Sequence, residues 1–504
     1  MTRSDRTFQA IVVGAGISGL VTAWRLKKAG VDVGLLEIEK ALGGCMRTEK
    51  RDGLILEKGP FNVLVRDDAF RNLLDECAGE VATVTASEAG NARFLYRKGV
   101  LHEVPMGPGG LIGTPLLSFG AKTRLLTGML FSRPARNDEP TIAEAARRRL
   151  GAEVADTFIS SIVAGVFGGD SRRLSLKACF PKAWQFDRRK WSPLLYEMKV
   201  LREKRRRLQA DPELNRYRGL ISFRDGLQAL PDWLGRQLGD GLLPGRRVVS
   251  IEQYGGSYRL HCLRNGRGTE ETFSCRHLVL ATPAPATSRL LQPLAPEASD
   301  ILDSIQSASL VVLNLAYREE DVGHPMQGYG FLVPASEGDM PVMGVLWADS
   351  AFPHHGREGT RIIRVFMGGP RDAQATERSD AELLDIATSA LRGPLQLAGE
   401  PSLVDICRWP RAIPQYHVGH LDRVQRIESE ISILPRLYVI GSYLRGVSIN
   451  DCVREATELG ERLAGDIMAE RTSAAAARLN GTPASGAGRQ PAARASSRID
   501  SSVA

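Results

Sequence analysis

The chain has 504 residues, of which 43% are hydrophobic and 25% charged. That is too long for one simple core and apolar enough to bury two or three, which excludes a fibrous or wholly disordered protein. The 66 Lys and Arg against 58 Asp and Glu leave +8, a mild basic excess that suits an anionic substrate, an acidic membrane surface or nucleic acid equally well.

In chain order, Phe8 to Val13 is a short run of branched apolar residues that predicts a strand. Gly14-Ala15-Gly16-Ile17-Ser18-Gly19 follows at once. Ile17, Leu20, Val21 and Trp24 then fall at the i, i+3, i+4, i+7 spacing of an amphipathic helix, which stops at Gly30 after Lys27 and Lys28. Val31 to Glu37 predicts a second strand and completes a βαβ unit. The helical pattern returns between about Pro108 and Arg207, for example at Ile142 to Leu150 and Val154 to Val163, with a basic run Arg202 to Arg207. Strands are predicted at Arg247 to Ile251, Tyr258 to Leu263, Leu278 to Ala281 and Leu437 to Ile440. Alternation at Ser309 to Tyr317 and Arg361 to Met367 points to a second, largely antiparallel sheet. After Glu470 the composition is Ala, Ser, Gly, Pro and Arg, which cannot bury enough surface to order itself and predicts a disordered tail.

The seven cysteines, Cys45, Cys77, Cys179, Cys262, Cys275, Cys407 and Cys452, are odd in number and form no CxxC pair. This argues against a disulfide framework and against a metal site, and predicts reduced thiols in a cytoplasmic protein. The N-terminus has no signal-peptide pattern. The longest apolar stretch, Leu111 to Leu130, is broken by Pro115, Lys122 and Arg124, so the expectation is a chain that can lie on a membrane surface but not span it.

The glycine motif has the context that gives it meaning: a strand before it, a helix after it, and Glu37 closing the second strand about 20 residues on. Gly14 permits the tight turn, Gly16 lets the backbone approach a pyrophosphate, and Gly19 allows close helix packing. The helix N-terminus offers N–H groups and partial positive charge to the phosphates, and Glu37 can accept from ribose hydroxyls. These residues, with Ala15, Ile17 and Ser18, are the predicted dinucleotide site.

Leu42-Gly43-Gly44-Cys45-Met46-Arg47-Thr48 resembles the LGGxxRT segment of flavoproteins of the amine oxidase and protoporphyrinogen oxidase superfamily, which implies FAD and places Gly44 and Arg47 near it. Further segments appear in one order over Phe8 to about Ala469. They are Glu57-Lys58-Gly59-Pro60, Val163-Ala164-Gly165-Val166-Phe167-Gly168-Gly169-Asp170 with Leu174-Ser175, and Ser222-Phe223-Arg224-Asp225-Gly226-Leu227 with Leu230-Pro231. Then come Gly328-Tyr329-Gly330-Phe331-Leu332-Val333-Pro334, Ala412-Ile413-Pro414-Gln415-Tyr416 with Gly419-His420, and Gly446-Val447-Ser448-Ile449-Asn450-Asp451-Cys452. Together they resemble the protoporphyrinogen oxidase family.

The resemblance implies noncovalent FAD contacted by Gly59, Pro60, Val248, Gly441, Val447, Ser448 and Ile449. It places a porphyrinogen between Leu332 and Phe366, with the Gly165 carbonyl facing its centre and Arg93 pairing a propionate. It implies no catalytic acid or base, because the cofactor carries the chemistry. The reaction implied is a six-electron oxidation in three steps with dioxygen as acceptor, with no nucleic-acid partner and with a homodimer left open. The chain departs from the family pattern at Phe61-Asn62, where a polar residue usually follows Gly-Pro, and at Ala164, where some members carry arginine. Amine oxidases and carotenoid desaturases share the N-terminal motif, but the lysine that amine oxidases place near the flavin has no counterpart in Ser307 to Val312. A flavin-free binding protein of the same fold is the non-enzyme alternative.

The fold class expected is mixed α/β and α+β: a Rossmann-type FAD-binding domain assembled from discontinuous segments (1–90, 211–300 and 426–470), a mixed or antiparallel-sheet substrate domain (91–107 and 301–425), an inserted helical region (108–210) and the tail (471–504).

Overall fold

The computed structural model describes residues 5–105, 110, 113–130, 137–188, 202, 206, 216, 217, 219–265 and 268–479. Of the basic run Arg202 to Arg207, only residues 202 and 206 are among them, and the stretch Leu111 to Leu130 is described from residue 113. No helix among the described residues is long and apolar enough to cross a membrane.

The branched run at the N-terminus becomes the strand Asp5–Val13, which pairs in parallel with Val33–Glu37 on one side and Glu270–Leu280 on the other. Leu242–Pro244 and Leu437–Val439 extend the parallel set at its two flanks, so strands from distant parts of the chain build one sheet. The antiparallel pair Arg246–Tyr254 and Ser257–Arg264 completes it. That pair runs longer than the sequence pattern indicates because Gly255 and Gly256, both at positive φ (56° and 77°), make a two-residue turn that lets the strands pair up to Tyr254 and Ser257. The second strand begins at Val33 rather than Val31, because Gly30 (φ 78°) and Val31 donate back to the Lys27 and Leu26 carbonyls and close the helix Ile17–Lys28 first.

The second sheet carries seven strands in the spatial order Leu403–Pro414, Ser307–Arg318, Thr360–Gly368, Gly344–Trp347, Gly330–Leu332, Phe94–Arg97 and Val100–Glu103. Alternation decides its two faces. Val311, Leu313, Leu315, Ile363, Val365 and Met367 pack on Leu383, Ala387, Leu391 and Leu395, the i, i+4 stripe of helix Asp380–Leu395. The opposite face looks toward the hairpin Thr48–Arg51/Leu54–Glu57, which is joined to the first sheet's glycine loop. Both the α/β sheet and the second sheet of the expected fold class are present, the latter antiparallel except where Gly330–Leu332 runs parallel to Phe94–Arg97.

Two expectations are corrected. Val154 to Val163 is not one regular helix: a π-helical turn at Ala155–Ile159 separates Ala152–Val154 from Ser160–Phe167. An inserted residue of this kind rotates the following helix relative to the preceding one. The ordered chain also does not end at Glu470, since helix Ile449–Leu479 continues through Arg471 to Leu479. The alanines of that stretch have the highest helix propensity and extend a helix whose nucleation cost is already met. The rest of the expected tail, 480–504, lies outside the described residues.

Candidate active site

The strand Asp5–Val13 delivers the chain to Gly14, whose φ of 104° and N–H bond to the Leu36 carbonyl (2.8 Å) form the tight turn. A side chain there would meet the Ala281 carbonyl oxygen at 2.8 Å. Gly16 differs: it caps helix Ile17–Lys28 with ordinary extended backbone, has no capping side chain, and a Cβ built on it would meet nothing within 4 Å. At Gly19 a Cβ would lie 1.9 Å from the Gly14 carbonyl oxygen. One glycine therefore turns the chain, one keeps a space open, and one lets the helix sit against the strand exit. Ala15, Ile17 and Ser18 are buried between them, with the helix entering its core at Leu20 and Val21.

Glu37 ends its strand facing this turn. Its two carboxylate oxygens accept from the Ala15 N–H (2.6 Å) and the Glu39 N–H (2.8 Å). Each oxygen retains a lone pair for a further donor. Gly245 N–H donates to the Glu39 carbonyl (3.2 Å), so the strand carrying Val248 begins beside Glu37; Val248 faces Cys262, and the register breaks immediately after it. A bulge of this kind frees main-chain groups from the ladder.

The Leu42–Thr48 loop lies across the glycine turn. Gly43 N–H donates to the Ala15 carbonyl (2.8 Å), and a Cβ on Gly44 would reach the Gly16 Cα at 3.5 Å. Arg47 is half-buried, and its Nε is shielded from solvent without a hydrogen-bond partner among the described residues. An unsatisfied guanidinium N–H of this kind is costly unless an anion or other acceptor completes it. Gly59 packs on the same loop, since a Cβ there would lie 2.2 Å from the Cys45 carbonyl oxygen, and Pro60 follows, half-buried.

On the far side, the strand Leu437–Val439 leads through Gly441 to the loop before helix Ile449–Leu479. Ser448 Oγ receives the Asp451 N–H (3.2 Å) and donates to the Asp451 carboxylate (2.5 Å), a local cap that fixes the helix start. Val447 and Ile449 flank it, half-buried, the first against the inserted helices and the second against the glycine-helix core. The open space over Gly16, the uncapped first turn of its helix, the free lone pairs of Glu37 and the unsatisfied Arg47 Nε fit a dinucleotide with a negatively charged pyrophosphate.

Three of the expected substrate residues, Gly165, Leu332 and Phe366, form a second cluster. In helix Ser160–Phe167 the face Ile162, Gly165 and Val166 is exposed. Leu332 faces it so closely that a Cβ on Gly165 would come 2.9 Å from Leu332 Cδ2. Leu332 also leans over Gly344, which sits opposite Phe366 in the sheet, and both Leu332 and Phe366 are half-buried. Arg93 stands just before its strand rather than within it, because the ladder begins at Phe94. Its guanidinium lies over the Tyr329 ring (5.2 Å) and donates to the Asn91 carbonyl (3.1 Å). Asn62 Nδ2 donates to the same tyrosine's hydroxyl (2.5 Å), whereas Phe61 is buried against Phe352 and Tyr329. The first residue after Gly-Pro to make a polar side-chain contact is thus Asn62. His420 is a packing residue, stacked on Tyr416 with its ring nitrogen on the Leu444 carbonyl (3.0 Å). No group of three or more metal-ligating side chains occurs among the described residues.

Residues 17–463 match the family model described as Flavin containing amine oxidoreductase. The chain belongs to this family. As a member it is a flavin-dependent oxidoreductase, the class to which the open glycine cradle and the Arg47 donor are suited. Among curated relatives, protoporphyrinogen oxidase of the chloroplast from Nicotiana tabacum is 29% identical over 90% of this chain and 85% of its own length. Coproporphyrinogen III oxidase from Bacillus subtilis (strain 168) is 27% identical over 89% of this chain and 96% of its own length. A solved structure from Exiguobacterium sp. 255-15 superposes with a TM-score of 0.76 at 24% identity, covering 92% of this chain and 100% of its own, which shows the shared fold.

Three residues at the junction between the sheets escaped the sequence reading: Arg364, Asn314 and Asp405. Each is a lone polar residue in an otherwise apolar stretch, as in Ile362-Ile363-Arg364-Val365-Phe366. That is the available signal, since charges are rarely fully buried without a purpose.

Proposed function

We propose that this flavoenzyme is a porphyrinogen oxidase using noncovalently bound FAD, with protoporphyrinogen IX as its preferred substrate. The observation that carries this reading is the apolar surface where the exposed Ile162, Gly165 and Val166 meet Leu332, with Phe366 across Gly344 from it, together with the polar group formed by Arg93, Tyr329 and Asn62. A large, flexible, apolar macrocycle with peripheral carboxylates needs such a combination. The names of the two curated relatives support the substrate class.

Gly14 to Gly19 would hold the pyrophosphate, Glu37 the ribose, Val248 the adenine through its main chain, and Arg47 an anionic group. Gly44, Gly59, Pro60, Gly441, Val447, Ser448 and Ile449 would line the ring. When bound, FAD supplies the acceptor for a hydride from the macrocycle, two electrons at each of three turnovers, with dioxygen as the final oxidant and hydrogen peroxide as its product. The residues of this chain bind and orient. Leu332 and Phe366 would lie on either side of the macrocycle and keep water from it. The Gly165 carbonyl is among the last four of its helix, which have no intrahelical donor, so it is available to face the substrate. Burial pushes the Cys452 thiol up to about 12, which leaves it neutral and a poor nucleophile, in support of noncovalent binding.

Arg93 is a half-exposed cation and Ala164 is uncharged, which suits a substrate with two carboxylates better than one with four. The test is a side-by-side oxidation assay on protoporphyrinogen IX and coproporphyrinogen III, followed by porphyrin fluorescence. A higher kcat/KM for coproporphyrinogen III would overturn the substrate preference and leave the flavin reading intact. In the same assay Arg93→Ala is expected to raise KM about tenfold, the worth of one charge-assisted contact, with a smaller effect on kcat. An unchanged KM would remove Arg93 from the site.

A further inference from the structure

Three consecutive carbonyls, those of Glu57, Lys58 and Gly59, are each held from the substrate-side sheet. The Glu57 carbonyl accepts from Arg364 Nη2 (2.9 Å) and Asn314 Nδ2 (3.2 Å), the Lys58 carbonyl from Trp409 Nε1 (2.8 Å), and the Gly59 carbonyl again from Arg364 Nη2 (3.0 Å). The Lys58 ammonium pairs with Asp405 and Glu49, and Asn314 Nδ2 also donates to Asp405 Oδ2 (2.8 Å). Asp405, Asn314 and Arg364 lie opposite one another on three adjacent strands. On its other side the same run supports the Leu42–Thr48 loop, with Lys58 N–H on the Arg47 carbonyl (2.8 Å) and Gly59 against Cys45.

Arg364 is almost fully buried, and its guanidinium lies 5.0 Å from the Phe61 ring centroid and 5.4 Å from that of Phe366, two residues along the same strand face. Its Nε and Nη1 have no hydrogen-bond partner among the described residues. Three N–H groups of this buried cation stay unused, but its Nη2 holds the Glu57 and Gly59 carbonyls, and taking away one partner of a buried polar contact costs stability. Its closure also keeps it from meeting a substrate carboxylate directly.

We infer that Arg364 is a positioning residue of the redox site, fixing the Glu57–Pro60 backbone on the flavin side and the Phe366 ring on the substrate side in one arrangement. This rests on the reading that Gly59 and Pro60 line the flavin and Phe366 the substrate. Arg364→Met keeps the bulk and removes the donors and the charge. In the flavin-loaded protein it is expected to lower the melting temperature, to alter the shape of the flavin's visible absorption and circular dichroism bands, and to lower kcat/KM at least tenfold, about 1.4 kcal/mol, beyond what the lost stability accounts for. Arg364→Lys keeps the charge, and its single ammonium nitrogen can donate to both carbonyls as Nη2 does, so it is expected to restore part of the wild-type flavin spectrum. Wild-type flavin spectra in Arg364→Met, or spectra and activity that change only as far as the melting temperature falls, would overturn the inference. Should Arg364→Met fail to fold, Trp409→Phe removes the bond to the Lys58 carbonyl alone; a smaller spectral change of the same kind supports the inference, and an unchanged spectrum overturns it. The flavin bands need no porphyrinogen, so they decide this inference even where the porphyrinogen assay fails.

Discussion

Gly16→Val is expected to leave the protein folded and to abolish flavin binding. The backbone at Gly16 has φ −67° and ψ 170°, a conformation that a β-branched residue adopts without strain, and the space in front of it is free of protein atoms to 4 Å. The loss in the fold is therefore confined to a poorer helix N-cap, about 1 kcal/mol or less. That same space is where the N–H groups of the first helical turn point and where a pyrophosphate must sit. Two methyl groups there displace it and screen the donors, which should weaken binding at least 100-fold, about 2.8 kcal/mol. Flavin content of the purified variant, read from its visible absorbance alongside a thermal melt of the apoprotein, checks both halves. Wild-type flavin content in a normally folded variant would show that the pyrophosphate lies elsewhere.

The parts of the molecule that were legible in the sequence are those whose signal is local. The strand, glycine turn, helix and second strand from Phe8 to Glu37 are contiguous, so their periodicities and breaks could be read directly, apart from the boundary that Gly30 and Val31 shift by closing the helix. The amphipathic stripe of helix Asp380–Leu395 was open to the same reading but was passed over. What could not be read was which distant segments meet. Nothing in Leu313-Asn314-Leu315 or Val404-Asp405-Ile406 says that these polar residues share a register with Arg364, because strand pairing across fifty or more residues leaves no local trace. The π turn at Ala155–Ile159 was invisible for another reason: it changes the helix by one residue without changing composition. The start of the tail is hidden for a third reason: its low hydrophobicity points away from structure, while its alanines prolong a helix that already exists. Phe61 and Asn62 show the limit of motif matching. The order Gly-Pro-Phe-Asn was plain, but only packing shows that Phe61 enters the core and that Asn62 reaches the Tyr329 hydroxyl.

Gly19→Ala is expected to act on the opposite half of the same motif, damaging the fold before any ligand is considered. In the middle of an ordinary helix this change would stabilise by up to about 1 kcal/mol, since alanine is the better helix former. Here the added Cβ would lie 1.9 Å from the Gly14 carbonyl oxygen and 3.1 Å from the Ala281 Cβ. The first of these is backbone, so no side chain can swing aside to relieve it. Gly14 is itself fixed by its turn and by the Ala281 carbonyl at 2.8 Å from its own missing Cβ. The helix Ile17–Lys28 must therefore lift from the strand exit, which opens the packing of Leu20 and Val21 against Val453 and Ala456. Overpacking costs about 1–3 kcal/mol where side chains can yield, and against fixed backbone the upper end or beyond is expected, which exceeds the propensity gain. Melting of the apoprotein should fall by several degrees, with flavin content lost in parallel. The contrast with Gly16→Val is the discriminating measurement: a Gly19→Ala apoprotein that melts like the wild type would mean that the helix does not pack on Gly14 as closely as these distances require.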